Sequence, residues 1–222
     1  MRVIITTGPS YEPIDQVRRL TNFSTGELGV MLANTFAAEG HSVTCLRGVS
    51  ATCRVSCAGA TELPFTTNDD LLAQLIQLGR SAAVDAAVDA VFHVAALCDF
   101  KVAGVDNSKG ESIAAAKIES RVDSLTLRLV PARKLIGELR PLFPGATLVG
   151  WKYELAGSRE NALAKAWRQI GENRTDACVL NGAAWGEGFG FCTPPGSVET
   201  LRAKSDLARF LPAWLVKHRQ LA

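Results

Sequence analysis

Apolar positions along the chain fall into short β-branched runs separated by stretches with helical spacing. The first run, VIITT, ends at the Gly8-Pro9 pair, a sharp break out of extended structure. A polar loop follows from Gly8 to Ser24, far longer than a strand-to-helix turn needs, and loops of that length usually carry function. A helix is expected from Ser24 to roughly Gly40. Its start has the spacing of a capping box, with Glu27 three residues after Ser24. Gly26 and Gly29 leave room for a close neighbour, and free amides at a helix N-terminus make a seat for an anion such as phosphate.

Further along, SVTCLRG reads as a second strand after the helix stop at Gly40. Val49 to Thr67 is ambiguous, with VSC and ELPF as possible short strands. Asn68 is the expected cap of an amphipathic helix, DDLLAQLIQLGR. Ala90 to Leu97 is the next buried strand, ending at Cys98, Asp99 and Phe100, and His93 inside it reads as a packed core residue. Lys101 to Glu119 has the look of a patternless flap. After it come the alternating strand LTLRLV, the helix ARKLIGELRPLF, the strand ATLVGWKYE, the helix NALAKAWRQIGENR and the strand TDACVLNG. GFGFCTPPGSVETL reads as a hairpin and KSDLARFLPAWLVKHRQ as a closing helix that Pro212 can bend. Strands alternating with helices predict an α/β fold. The expected form is a doubly wound, Rossmann-like, mostly parallel sheet with a flap and a C-terminal hairpin-like extension, residues 1–222 forming a single domain.

Composition narrows the function. Apolar residues make up 47% and charged residues 21% of 222, ordinary for a globular protein. A net charge of +2 gives no basic field for nucleic acid. With no signal-peptide pattern and no apolar run of membrane-spanning length, no membrane partner is expected and the expected location is cytoplasmic. The six cysteines lack zinc-site spacing, so no metal site is expected from the protein's own ligands. No G-x-G-x-x-G follows the first strand and no Walker sequence is present, which weighs against a plain NAD or P-loop assignment.

The loop offers Ser10, Glu12, Asp15, Arg18, Arg19, Thr21 and Asn22 to a charged substrate; otherwise it is a solvated loop before a capped helix. Asp99, past the carboxyl end of a parallel strand, stands where open α/β sheets bind ligands, or else is a cap or turn residue. Trp151 either stacks on a base or packs as a core aromatic.

GPSYEPIDQVRRLTNFSTGELG closely resembles the signature of the phosphopantothenoylcysteine synthetase (phosphopantothenate-cysteine ligase) family, here in a monofunctional form. The resemblance extends along essentially the whole chain. VRRLTNFSTG is similar to the family's strand-to-helix loop, so Arg18 and Asn22 take the positions implicated in turning over an acyl-nucleotide. VAALCDF resembles A-A-V-A-D followed by Tyr or Trp, placing Ala95 and Asp99 at the nucleotide. KIES gives Lys117 the place of the flap's catalytic lysine. LVGWKYE resembles V-V-G-F-A-A-E, putting Gly150 and Trp151 beside the nucleotide, and VLNG makes Asn181 a substrate-side candidate. Gly8, Ser10, Ser24, Thr25 and Gly26 complete the nucleotide contacts that the resemblance implies.

The implied reaction joins 4′-phosphopantothenate to L-cysteine, activated by CTP or ATP with Mg²⁺. A homodimer is implied, and no flavin is expected. The flavin-dependent decarboxylase step would belong to a separate protein. The chain departs from the family at three points: KIES replaces K-I-K-K; Gln169 and Asn173 lie near an absent lysine pair, with Arg168 and Arg174 as stand-ins; and Trp151 replaces Phe. Two other readings compete. One is a diverged homologue that binds a nucleotide or pantothenate derivative without ligating it. The other is a short-chain-type oxidoreductase, which nicotinamide binding would favour.

Overall fold

A computed structural model describes residues 1–82, 86–121 and 123–221. In chain order it begins with β1 (Arg2–Thr7), a small hairpin of β2 (Tyr11–Pro13) and β3 (Arg19–Thr21), α1 (Glu27–Ala38), β4 (Ser42–Gly48) and β5 (Thr61–Phe65). Next come α2 (Asn68–Ala82), β6 (Ala90–His93), β7 (Phe100–Asn107), β8 (Leu125–Pro131), α3 (Ile136–Leu142) and β9 (Thr147–Tyr153). It ends with α4 (Arg159–Asn173), β10 (Ala177–Asn181), β11 (Phe189–Thr193), β12 (Ser197–Leu201) and α5 (Lys204–Leu221).

Eight strands form one sheet in the order β12-β11-β10-β9-β6-β1-β4-β5. The strands from β10 through β5 in that order run parallel, and β11 and β12 add an antiparallel edge. Strand alternation sends neighbouring side chains to opposite faces. Val3 and Ile5 thus meet α1 and α5, Ile4 meets α2 and α3, and Cys178 and Leu180 on β10 meet α4. The sheet is therefore α/β and doubly wound, as the pattern predicts. From β1 the chain moves outward to β4 and β5, and from β6 the opposite way to β9 and β10. The switch point is the gap between the carboxyl ends of β1 and β6, where open α/β sheets bind ligands.

Several local expectations are corrected. α1 starts at Glu27, not Ser24, and there is no capping box: Gly26 is the N-cap, in the left-handed region at φ 76°, with no side-chain cap. The close neighbour that Gly29 admits is Thr7, whereas Gly26 lies against Ala51 and Gly8. The Thr7 hydroxyl donates to the Gly26 carbonyl at 2.8 Å, and a Cβ on Gly29 would lie 2.2 Å from the Thr7 Oγ1. Asn68 is the first residue of α2 and not its cap; Thr67 Oγ1 accepts the Asp70 amide at 3.2 Å, while Asn68 Nδ2 donates to the Cys98 carbonyl at 2.8 Å. VSC forms no strand, and β6 ends at His93, short of Leu97.

The expected flap also has regular structure. β7 occupies its first half and pairs antiparallel with β8, making a two-stranded ribbon separate from the main sheet. The six cysteines are free thiols, and no described helix is long and apolar enough to cross a membrane.

Candidate functional site

An open cleft of about 870 Å³ lies at the switch point. Its lining comes from Thr7, Asn22–Gly29, His93–Asp99, the start of α3, the end of β9 and one face of α4. Of the residues singled out from sequence, the cleft gathers Asn22, Ser24, Thr25, Gly26, Ala95, Asp99, Trp151 and Asn181. These lie far apart in the chain and converge because parallel strands deliver their carboxyl ends to one edge.

Asn22 Nδ2 donates to the Leu97 carbonyl at 2.8 Å, tying the first loop to the segment after β6. A carboxamide nitrogen carries two hydrogens, so one donor remains for a ligand. The first-turn amides of α1 have no intrahelical acceptor; Thr25 Oγ1 takes the Glu27 amide at 3.3 Å. The Glu27 carboxylate would repel an anion here, and Lys204 at the start of α5 pairs with it. Trp151 packs as an aromatic against the α1-side core and also lines the cleft.

Five of the expected residues lie outside the lining. Gly8, at φ 77°, faces Ala51, whose Cβ would lie 2.8 Å from an added Cβ. Ser10 is buried, and its hydroxyl accepts the Cys98 amide at 2.9 Å, so it braces the cleft wall from behind. Gly150 lets α3 and α4 approach β9, since an added Cβ would lie 2.4 Å from Gln169 Nε2 and 2.8 Å from Ile136 Cδ1. Arg18 is occupied by Asp15 at 3.1 Å and by the Ile118 carbonyl at 3.0 Å. Lys117 is exposed beside that contact, so Asn22 and Asp99 share the cleft and Lys117 does not join them.

Sequence reasoning missed much of the charged wall. Arg133, Lys134, Lys152, Lys165 and Lys204 line the cleft, and Lys134 pairs with Asp99. Arg168, Gln169 and Asn173 are there too, whereas Arg174 caps α4 in the left-handed region and gives its carbonyl to Arg140. The available signal was the spacing of Lys165, Arg168, Gln169, Glu172 and Asn173 on one face of α4.

His93 is buried at the cleft floor, its Nδ1 2.9 Å from Thr6 Oγ1. That oxygen also accepts the Ala95 amide at 3.3 Å, so the Thr6 hydroxyl donating to a neutral Nδ1 uses each group once. Burial holds the imidazole down at about 4, and it is neutral at physiological pH.

A family model described as the DNA/pantothenate metabolism flavoprotein C-terminal domain matches residues 1–210. The coenzyme A biosynthesis bifunctional protein CoaBC of Thermococcus kodakarensis is 32% identical over 180 residues, covering 81% of this chain and 41% of that protein. Its counterpart in Methanocaldococcus jannaschii is 26% identical over 181 residues, covering 81% and 40%. The chain thus spans about two fifths of the length of these relatives. Among solved structures, the DNA/pantothenate metabolism flavoprotein from Streptococcus pneumoniae superposes with a TM-score of 0.85 at 20% identity, covering 98% of this chain and 99% of that one. A Cab2 variant in complex with phosphopantothenate-cysteine gives 0.73 at 18%, covering 99% and 86%. At those identities the superpositions speak for the fold. The matched span and the shared fold lead to one conclusion: the chain belongs to the family of DNA/pantothenate metabolism flavoprotein C-terminal domains.

Proposed function

We propose that this chain joins 4′-phosphopantothenate to L-cysteine through an acyl-nucleotide formed from CTP or ATP, a step of coenzyme A biosynthesis. The observation that carries this reading is the convergence of Asn22, the α1 N-terminus, Ala95, Asp99, Trp151 and Asn181 on one cleft. The relatives named above support it. Such a reaction needs no protein nucleophile, because the substrate carboxylate attacks the α-phosphorus and expels pyrophosphate. The cysteine amine then attacks the acyl carbon and expels the nucleoside monophosphate. Positioning and charge stabilisation carry both steps.

In this scheme the α1 amides seat a phosphate, Trp151 flanks the base and the free Asn22 donor faces the oxyanion that develops on the acyl carbon. Asp99 and Glu27 bring carboxylates to the cleft, each paired with a lysine, and Mg²⁺ would arrive with the triphosphate. Bound there, the ion would shield phosphate charge, held largely by phosphate oxygens and water. No flavin enters this chemistry, and the cytoplasm is the location it implies.

A homodimer is part of the proposal. Phe23, next to Asn22, is fully exposed, and Phe100, Leu129 and Val130 on the β7–β8 ribbon are between 41% and 52% exposed. Apolar exposure on these two segments fits a partner surface. A monomer by light scattering at assay concentration removes this part.

The test is pyrophosphate release with each of four nucleotides, with and without cysteine. Cysteine-dependent release with CTP or ATP supports ligation; none with any nucleotide rejects it. One observation favours the second reading, binding without ligation: Lys117 lies outside the cleft. Calorimetric binding of nucleotide with silent turnover would select it.

A further inference from the structure

Among the described residues, three carboxylates pair with lysines that line the cleft, and one differs in stoichiometry. Asp99 pairs with Lys134 and Glu27 with Lys204, one to one. Glu154 instead meets two lysines, Lys165 at 2.5 Å and Lys152 at 3.5 Å, leaving one positive charge in excess. Lys152 and Lys165 both line the cleft.

Glu154 is fixed in place. Its amide donates to the Asn181 carbonyl at 2.9 Å, and its own carbonyl accepts the Ala184 amide at 3.0 Å. Gly182 lies so close that an added Cβ would be 2.3 Å from the Glu154 carbonyl oxygen. The Glu154 side chain is 12% exposed, against 34% for Lys152 and 39% for Lys165. Burial pushes this carboxyl up, but the hydrogen bond from Lys165 and the charge of Lys152 outweigh it, so it titrates below its ordinary value. An anchored anion thus holds two partly shielded ammonium groups, each with three donors; Lys165 spends one on a hydrogen bond to Glu154, and Lys152 is held as an ion pair. Strand alternation sends Trp151 to the α1-side core and Lys152 to the α4 side, where Lys165 is waiting. Arg168, one helical turn after Lys165, lines the same wall.

We infer that Lys152 and Lys165, held by Glu154, grip a phosphate group of a substrate. The grip explains why two lysines share one carboxylate at a cleft wall when a single salt bridge would satisfy it. The choice of candidate ligands rests on the ligase reading, which offers two sources of the same chemistry: the nucleotide polyphosphate and the phosphomonoester of 4′-phosphopantothenate.

The test is calorimetry with CTP, ATP, cytidine, adenosine, 4′-phosphopantothenate and pantothenate on the wild type, Lys152→Met, Lys165→Met and Lys152→Arg. At least one phosphorylated ligand should bind about tenfold more weakly to each Met variant. The matching dephosphorylated compound should bind unchanged, and Lys152→Arg should retain most of the affinity. The ligand that suffers identifies the source. Melting temperatures should match the wild type, since both lysines keep a third or more of their surface in water. Unchanged affinity for every phosphorylated ligand, equal losses with and without the phosphate, or no binding of any phosphorylated ligand to the wild type overturns the inference. Phosphate-dependent binding without cysteine-dependent pyrophosphate release would leave the grip standing and remove the ligase reading instead.

Discussion

The Asp15 carboxylate accepts the Ile118 amide at 3.1 Å, a contact that spans 103 positions of sequence. The same carboxylate takes the Val17 and Arg18 amides and the Arg18 guanidinium, while Gln16 donates to the Ala116 carbonyl. The β2–β3 turn and the segment carrying Lys117 are thereby latched together outside the cleft. The Ile118 amide, ahead of the opposing effect of burial, keeps Asp15 below the usual carboxylate range. A depressed acid contributes stability that is present above its ordinary value near 3.8 and lost as pH falls through its folded value. Hydrogen exchange at residues 116–118 should accelerate in Asp15→Asn at neutral pH. Equal protection in the two proteins would mean the latch is unimportant.

Lys117 lies outside the cleft, so the ligase reading requires this latch to open before Lys117 acts on a bound nucleotide. The ligase reading predicts that Lys117→Gln loses product formation while keeping its fold. Near-normal turnover would take Lys117 out of the chemistry.

His93 sets a second pH dependence. Its folded value of about 4 lies below the ordinary 6.5, so between these values the unfolded chain binds more protons. The stability from the neutral histidine is full above about 6.5 and is lost as pH falls toward 4, by roughly 3 kcal/mol. His93→Gln should show a smaller drop in denaturant midpoint between pH 7 and pH 4, read against the wild type. An identical pH dependence would contradict the buried neutral assignment.

Gly29→Ala tests how α1 is seated. Its methyl would fall 2.2 Å from Thr7 Oγ1, in the contact that brings the helix N-terminus to the cleft. A loss of about 1–3 kcal/mol is expected from overpacking, with weaker nucleotide binding. Unaltered stability and affinity would show that the seat has slack.

Much of the architecture could be read from the chain because its signals are local. SVTCLRG coincides with β4 from Ser42 to Gly48, and the amphipathic patterns of α2 and α4 identified helices that the sheet then packs. The errors arise where a local signal is overridden or where the partner is distant in sequence. Ser24 and Glu27 have capping-box spacing, but Gly26 turns into the left-handed region between them and starts the helix itself. β7 was hidden because its partner, β8, comes only after an intervening polar segment, and cross-strand pairing leaves little periodic trace in so exposed a ribbon. Within the site, Asn22, Asp99 and Trp151 were legible from their motifs. Lys152, Lys165 and Lys204 were not: each reads as a surface lysine until the strand order brings it to the cleft.

In the proposed reaction the cleft binds an acyl-nucleotide and Asn22 assists its aminolysis. Losing an oxyanion donor typically costs about 3 kcal/mol, roughly a hundredfold or more in rate. Mass spectrometry of quenched reactions containing 4′-phosphopantothenate, CTP or ATP, Mg²⁺ and cysteine tests it most directly. The wild type should yield phosphopantothenoylcysteine, and Asn22→Asp should accumulate the acyl-nucleotide with little product. Absence of both species in the wild type, or full product formation by Asn22→Asp, would contradict the account.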